Sequence, residues 1–259
     1  MATHNFERLF ARAGLRRVPG GPHRHTWINE SRAWFVTTAG AAAESGDDRL
    51  HAWVLAREAM VPLNYGAPKA AADLAEQARR IADARPTATA TLAPAVAIRA
   101  YALSHQPEQA RAALTAADAL MNRLPGSEQS DTWLTYSEKK HCVHVSHAYT
   151  TLADTRRARA SQHRALELSK STSTMTRTLL NIDAASCAHH DGGDEQACHR
   201  TVVALTGLPS GRSVTAAFDG TGGRRPPRET GARAARVVRG CSRWSCCRWA
   251  GARCGWAAG

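Results

Sequence analysis

Aromatic side chains are scarce in this chain of 259 residues, at 6%, and alternating runs of β-branched residues are absent. Both absences argue against a sheet, because strands draw on those residue types with a period of two. No apolar run reaches the roughly 18 residues that a membrane-spanning helix needs. Between Met1 and Leu15, Glu7, Arg8 and Arg12 stand where a secretory signal would carry its apolar stretch, so a cytoplasmic protein is expected. Catalytic signatures are missing too. Gly220-Thr-Gly-Gly223 has no strand pattern before it and no helix pattern after it, and no G-x-S-x-G elbow occurs, so enzymatic activity is not expected.

What the chain does have is alanine and leucine, within a hydrophobic share of 43%. Alanine is the best helix former and lets helices approach closely, so this composition predicts an all-α protein of helices packed on helices. The formal charge of +12 is uneven. Residues 210–259 hold ten arginines against Asp219 and Glu229, which leaves the preceding chain close to neutral.

The middle of the chain repeats itself. Tyr101 is followed by Ala110 and Ala117, and Tyr149 is followed at the same spacings by Ala158 and Ala165. A third copy has Ala188, Gly192, Ala197 and Ala204, while Trp53, Gly66, Ala71 and Ala78 belong to a weaker fourth. The second alanine of each copy falls at 78, 117, 165 and 204, spacings of 39, 48 and 39 residues. A small residue at both positions lets the first helix of a pair lie close across the second, and the aromatic fills the gap between neighbouring pairs. Helices are predicted near 31–44, 48–63, 67–84, 91–104, 107–123, 132–152, 155–169, 175–190 and 193–207. Separators such as Tyr65-Gly66-Ala67-Pro68, His105-Gln106-Pro107 and Asp191-Gly192-Gly193-Asp194 support the boundaries.

These residues resemble the tetratricopeptide (TPR) pattern, an aromatic-bearing helix followed by A-x6-A and a proline, although the spacings exceed its usual period of about 34. The segments HAWVLAREAMVPLNYGAP, DTWLTYSEKKHCVHVSHAYTTLADTRRARASQHRALEL and NIDAASCAHHDGGDEQAC together resemble one narrower group. They are similar to the TPR-bearing C-terminal region of actinobacterial helix-turn-helix transcriptional regulators of the XRE type. The resemblance covers Trp34 to Leu208. It implies a superhelix of about four antiparallel helix pairs, a concave groove for a protein or peptide partner, and a regulatory or sensing role. DNA would be reached only through a helix-turn-helix domain that the short N-terminal segment is too small to supply.

The expected organisation is a poorly structured segment at 1–30, a TPR-like domain at 31–208 and an Arg/Gly/Cys/Trp-rich tail at 209–259. That last alphabet is what GC-rich coding DNA yields in a shifted frame, so the natural chain is expected to continue helically past Leu208. Tail residues Cys241, Cys246, Cys247 and Cys254 lack the paired knuckles of a zinc site. His141, Cys142, His144 and His147 read as ordinary helix residues, and His189, His190, Asp191, Asp194 and His199 as a capped turn. No metal or cofactor is therefore expected. The groove candidates are polar first-helix positions: Arg57, Asn64, Arg99, His105, Lys140, His144, His147, Thr151, Asn181 and His189. Two alternatives stand beside this reading. One is a nucleic-acid-binding protein acting through the basic tail with Trp244, Trp249 and Trp256, and the other is a truncated gene product without independent activity.

Overall fold

The computed structural model describes residues 23–83, 85–169 and 174–207, and among these every regular element is helical. The helices are α1 (His23–Glu44), α2 (Asp48–Glu58), α3 (Met60–Asn64), α4 (Pro68–Ala82) and α5 (Ala88–Leu103). They continue as α6 (Pro107–Met121), α7 (Glu138–Thr151), α8 (Thr155–Glu167), α9 (Thr174–His190) and α10 (Asp194–Thr206). Residues 1–22 and 208–259, including the tail cysteines and tryptophans, lie outside the described residues.

Local chemistry sets most of the boundaries. The side chains of Asp47, Thr87, Ser137 and Asp154 accept hydrogen bonds from Leu50, Ala90, Lys140 and Arg157 N–H groups, capping α2, α5, α7 and α8. Pro68 and Pro107 open α4 and α6, where the missing N–H costs nothing. The predicted helix over 48–63 is interrupted at Ala59, because Pro62 cannot donate to the Glu58 carbonyl and its ring crowds that group. The largest shifts are at two predicted starts. The first helix begins at His23 instead of 31, and α7 begins at Glu138 instead of 132, because Ser137 takes the extended cap conformation and residues 122–137 form an irregular connection.

Helix α2 packs against α5, α5 against α7 and α7 against α9, which sets these first helices side by side. Helices α4, α6, α8 and α10 each pack on the first helix that precedes them. Helix α4 also packs closely on α5, whereas α6 barely touches α7. The core runs through α2, α4, α5 and α6. Helix α5 is buried on nearly every side, from Ala88 through Ile98 without a break, as a helix apolar all round must be.

Each first helix ends in the same turn. Gly66, His105, Ala153 and Gly192 adopt φ of 84°, 56°, 60° and 81°. The N–H of the following residue then reaches back to the fifth carbonyl before it: Ala67 to Pro62, Gln106 to Tyr101, Asp154 to Tyr149 and Gly193 to Ala188. These turns recur at the spacings of the alanines, so one backbone device closes all four pairs. Only glycine takes that conformation freely. Ala153→Gly is expected to stabilise the fold by about 1 kcal/mol and Gly192→Ala to destabilise it by about 1 kcal/mol. Urea midpoints of the two variants moving in the same direction would contradict this.

The wider middle spacing has a structural cause in the connection 122–137. It carries the short 3-10 turn Gly126–Glu128 and folds back over the start of the stack. Glu128 pairs with Arg49 of α2 and accepts from the Ala88 N–H at 3.0 Å. Leu124 and Tyr136 are buried in the common core.

Candidate functional site

Polar side chains of α2, α5 and α7 converge where the connection 122–137 meets the first row. His144 stands at the centre, 8% exposed. Its Nδ1 is buried with no hydrogen-bond partner among the described residues, and its ring is 6.2 Å from that of Tyr136. Burial holds the imidazole well below its ordinary pKa, and the charges of Arg99, His141, Arg57 and His147 push it further down.

Each neighbour is fixed from a different element. Arg57 comes from α2, with its guanidinium 5.0 Å from the centre of the Trp133 ring. Burial lowers its pKa to about 10. Arg99 from α5 donates to the Asn64 side-chain carbonyl at 3.4 Å. Lys140, in the first turn of α7, donates to the Thr135 carbonyl at 3.0 Å and lies 3.6 Å from Asp131. Burial lowers its pKa, an effect that Asp131 opposes and Arg57 reinforces. Tyr136 is fully buried and shares a hydrogen bond with His141 Nδ1 at 3.3 Å. Burial raises its phenol well above the usual value.

The nearby acids are each paired with a basic or hydroxyl neighbour. Asp118 of α6 meets His141 Nε2 at 2.7 Å. Asp183 of α9 faces His147 Nδ1 at 3.2 Å and accepts from the Ser146 hydroxyl at 3.3 Å. Asp131 binds Lys139 and Lys140, and burial of Asp131 only partly offsets their lowering of its pKa. The charges that act on His144 itself come from Arg99, His141, Arg57 and His147.

Of the groove candidates, Arg57, Asn64, Arg99, Lys140, His144 and His147 fall in this neighbourhood. The others do not join it. His105 is the exposed left-handed residue of a turn, and Thr151 turns its hydroxyl back to the His147 carbonyl at 2.9 Å. His189 pairs with Asp194 at 2.6 Å, and Asn181 is exposed on α9. Trp133, Tyr136 and Asp131 escaped the sequence reading, which placed Trp133 and Tyr136 inside a helix near 132–152. Ser137 followed by Glu138 was the available signal, a cap residue before an acid in the first turn.

The repeat alanines Ala71, Ala78, Ala110, Ala117, Ala158, Ala165, Ala197 and Ala204 are all buried, as is Trp53. Tyr101 and Tyr149 are half-buried. Tyr101 donates to Glu76 of α4 at 3.3 Å, and Tyr149 lies under the Arg157 guanidinium at 5.7 Å. Where α6 and α7 diverge, a cavity of about 70 Å³ opens, lined by Ile98, Ala110, Leu114, Val145, Ala148 and Leu152 among others.

Among the described residues, no three His, Cys, Asp or Glu side chains are grouped to hold a metal ion. Burial pushes the Cys142 thiol up to about 11, far from the thiolate that nucleophilic chemistry needs. No helix among the described residues is long and apolar enough to cross a membrane. No protein-family model, curated protein or solved structure matches the chain.

Proposed function

We propose that this chain is a TPR-like binding module whose row of first helices holds a peptide or protein segment, serving as the sensing part of a transcriptional regulator. The observation that carries the reading is the row of first helices packed side by side, on which the half-buried Arg57, Arg99 and Lys140 stand, with Trp133 exposed over Arg57. These three side chains are held in place by Trp133, Asn64 and Asp131, and side chains fixed in advance lose little freedom when a partner engages them. The four identical helix-ending turns and the buried alanine pairs support the repeat character. Arg and aromatic side chains in partly desolvated positions are the residue types that dominate binding hot spots, and the Arg57–Trp133 pair has that character.

The test is to select binders from a displayed random-peptide library and titrate them against the chain and its Arg57→Ala/Lys140→Ala variant. With helicity unchanged, the variant is expected to bind about tenfold or more weakly, the loss of a typical hot spot. Equal binding to both proteins would remove the first-helix face as the docking surface.

A further inference from the structure

Helix α9 docks on its neighbours through a polar stripe. Asp183 and Cys187 stand four residues apart on one face of α9, and Asp191 continues the line just past its end. Each meets two groups of the preceding helix pair. Asp183, 4% exposed, faces His147 Nδ1 of α7 at 3.2 Å and accepts from the Ser146 hydroxyl at 3.3 Å. The buried Cys187 thiol lies 3.5 Å from the Thr150 hydroxyl of α7 and 3.6 Å from the Gln162 amide nitrogen of α8. Asp191 accepts from Thr155 at 2.8 Å and from Arg159 at 2.6 Å, both on α8. The meeting of α2, α4 and α5 is built differently. There Trp53, Val54, Leu92, Val96 and Ile98 join the alanines in one apolar cluster. That cluster reaches Ala148 on α7 but, among the described residues, includes no side chain of α8, α9 or α10. Leu180 is the one large aliphatic side chain buried on α9 among the described residues.

We propose that α9 and α10 form a latch, which opens as one unit along this polar seam while α2–α8 stay folded. Apolar burial stabilises in proportion to area, whereas an internal hydrogen bond gains little over the bond to water that it replaces. Parting the seam returns the Asp183 carboxylate, the Thr150 hydroxyl and the Gln162 amide to water, which satisfies each of them. The stability of a repeat stack is close to a sum over its helix pairs and the interfaces between them, so the stack parts where an interface is weakest. Helices α9 and α10 pack closely on each other, with Ala188, Ala197 and Ala204 buried, so they leave together. Opening shortens the row of first helices by one. It also releases His147 from Asp183, and the charge of His147 is one of those that act on His144 in the candidate site. The latch stands on the seam alone and is independent of the binding reading above.

Amide hydrogen exchange of the full chain, read by mass spectrometry in urea below the unfolding transition, tests the latch. Alkylation of Cys187, located by peptide mapping under the same conditions, is the second readout. Amides of α9 and α10 are expected to exchange through one shared opening, populated about tenfold or more above the opening that exposes α5. Cys187 should be alkylated through that same opening, while α8 stays protected together with α7. Asp183→Asn keeps the size of the side chain and removes the charge that faces His147. It should raise both signals about tenfold or more and leave α5 unchanged. Should this variant not fold, the unaltered chain decides alone, because the order and grouping of openings are read from it directly. Exchange of α9 and α10 in a single step with α5 and α7 overturns the latch. So does α8 opening together with α9, which would move the seam, or an Asp183→Asn variant in which Cys187 alkylation is unchanged.

Discussion

Ala78→Leu is expected to destabilise the protein by about 2–3 kcal/mol, the upper part of the range for forcing extra methylene groups into a packed interior. Ala78 is fully buried on α4, the helix that lies against both α2 and α5. With Ala71 and Ala75 it forms a strip of methyl groups along which the helices meet. Three added carbons there must push α4 away from two partners at once. Helix propensity scarcely changes between alanine and leucine, so the loss reports packing alone. Ala70→Leu is the matched control, because Ala70 is exposed on the same helix and the change should stay within about 0.5 kcal/mol. Urea unfolding of both variants decides the matter. Equal midpoints would mean that α4 does not lie closely across its neighbours.

That prediction depends on the part of the fold that the sequence displays most clearly. Short-range physics writes itself into residue types. Proline marks the first turn of α4 and α6, aspartate, serine and threonine mark caps, and glycine marks two of the four left-handed turns. Close helix contact requires alanine, so the alanine spacing carries packing information along the chain. The other two left-handed positions are occupied by His105 and Ala153; Pro107 had marked the first of these as a separator, but neither residue type announces a positive φ, which only the backbone shows. His105 shows the cost of reading residue type without conformation. The separator His105-Gln106-Pro107 was legible as a turn, whereas the left-handed φ of 56° at His105 was not.

The candidate site was legible only in part. Arg57, Arg99, Lys140 and His144 belong to regular helices, so helical position pointed to a shared face. Their roof does not. Trp133, Leu134 and Tyr136 let the apolar pattern run on into α7, and the irregular path of the connection 122–137 depends on contacts distant in sequence. Examples are Glu128 with Arg49 and with the Ala88 N–H, and Trp133 over Arg57. No local periodicity encodes such pairs. The partnerless Nδ1 of His144 is likewise a property of the assembled stack, since it depends on where six neighbouring groups point.

Tyr136 is the residue on which that roof turns, and Tyr136→Ala is expected to cost about 3–5 kcal/mol, as for other buried aromatics. The side chain is fully buried although it comes from an irregular segment, and it belongs to the same apolar cluster as α2 and α5. Its N–H donates to the Glu128 carbonyl at 2.9 Å, which ties the two ends of the connection together. Tyr136→Phe separates the contributions. It keeps the ring and removes only the hydroxyl shared with His141, so its cost should be about 1 kcal/mol. Chemical denaturation measures both, and an alanine variant no less stable than the phenylalanine one would show that the connection does not depend on this ring. The consequence reaches the site as well. The Tyr136 ring is one of the groups that keep water from His144, and desolvation is the largest cause of the depressed imidazole pKa. In Tyr136→Ala the His144 titration, followed by NMR, should therefore move up toward the ordinary histidine range, whereas in Tyr136→Phe it should stay depressed. An anchoring residue of the connection would then also set the protonation state of the site beneath it.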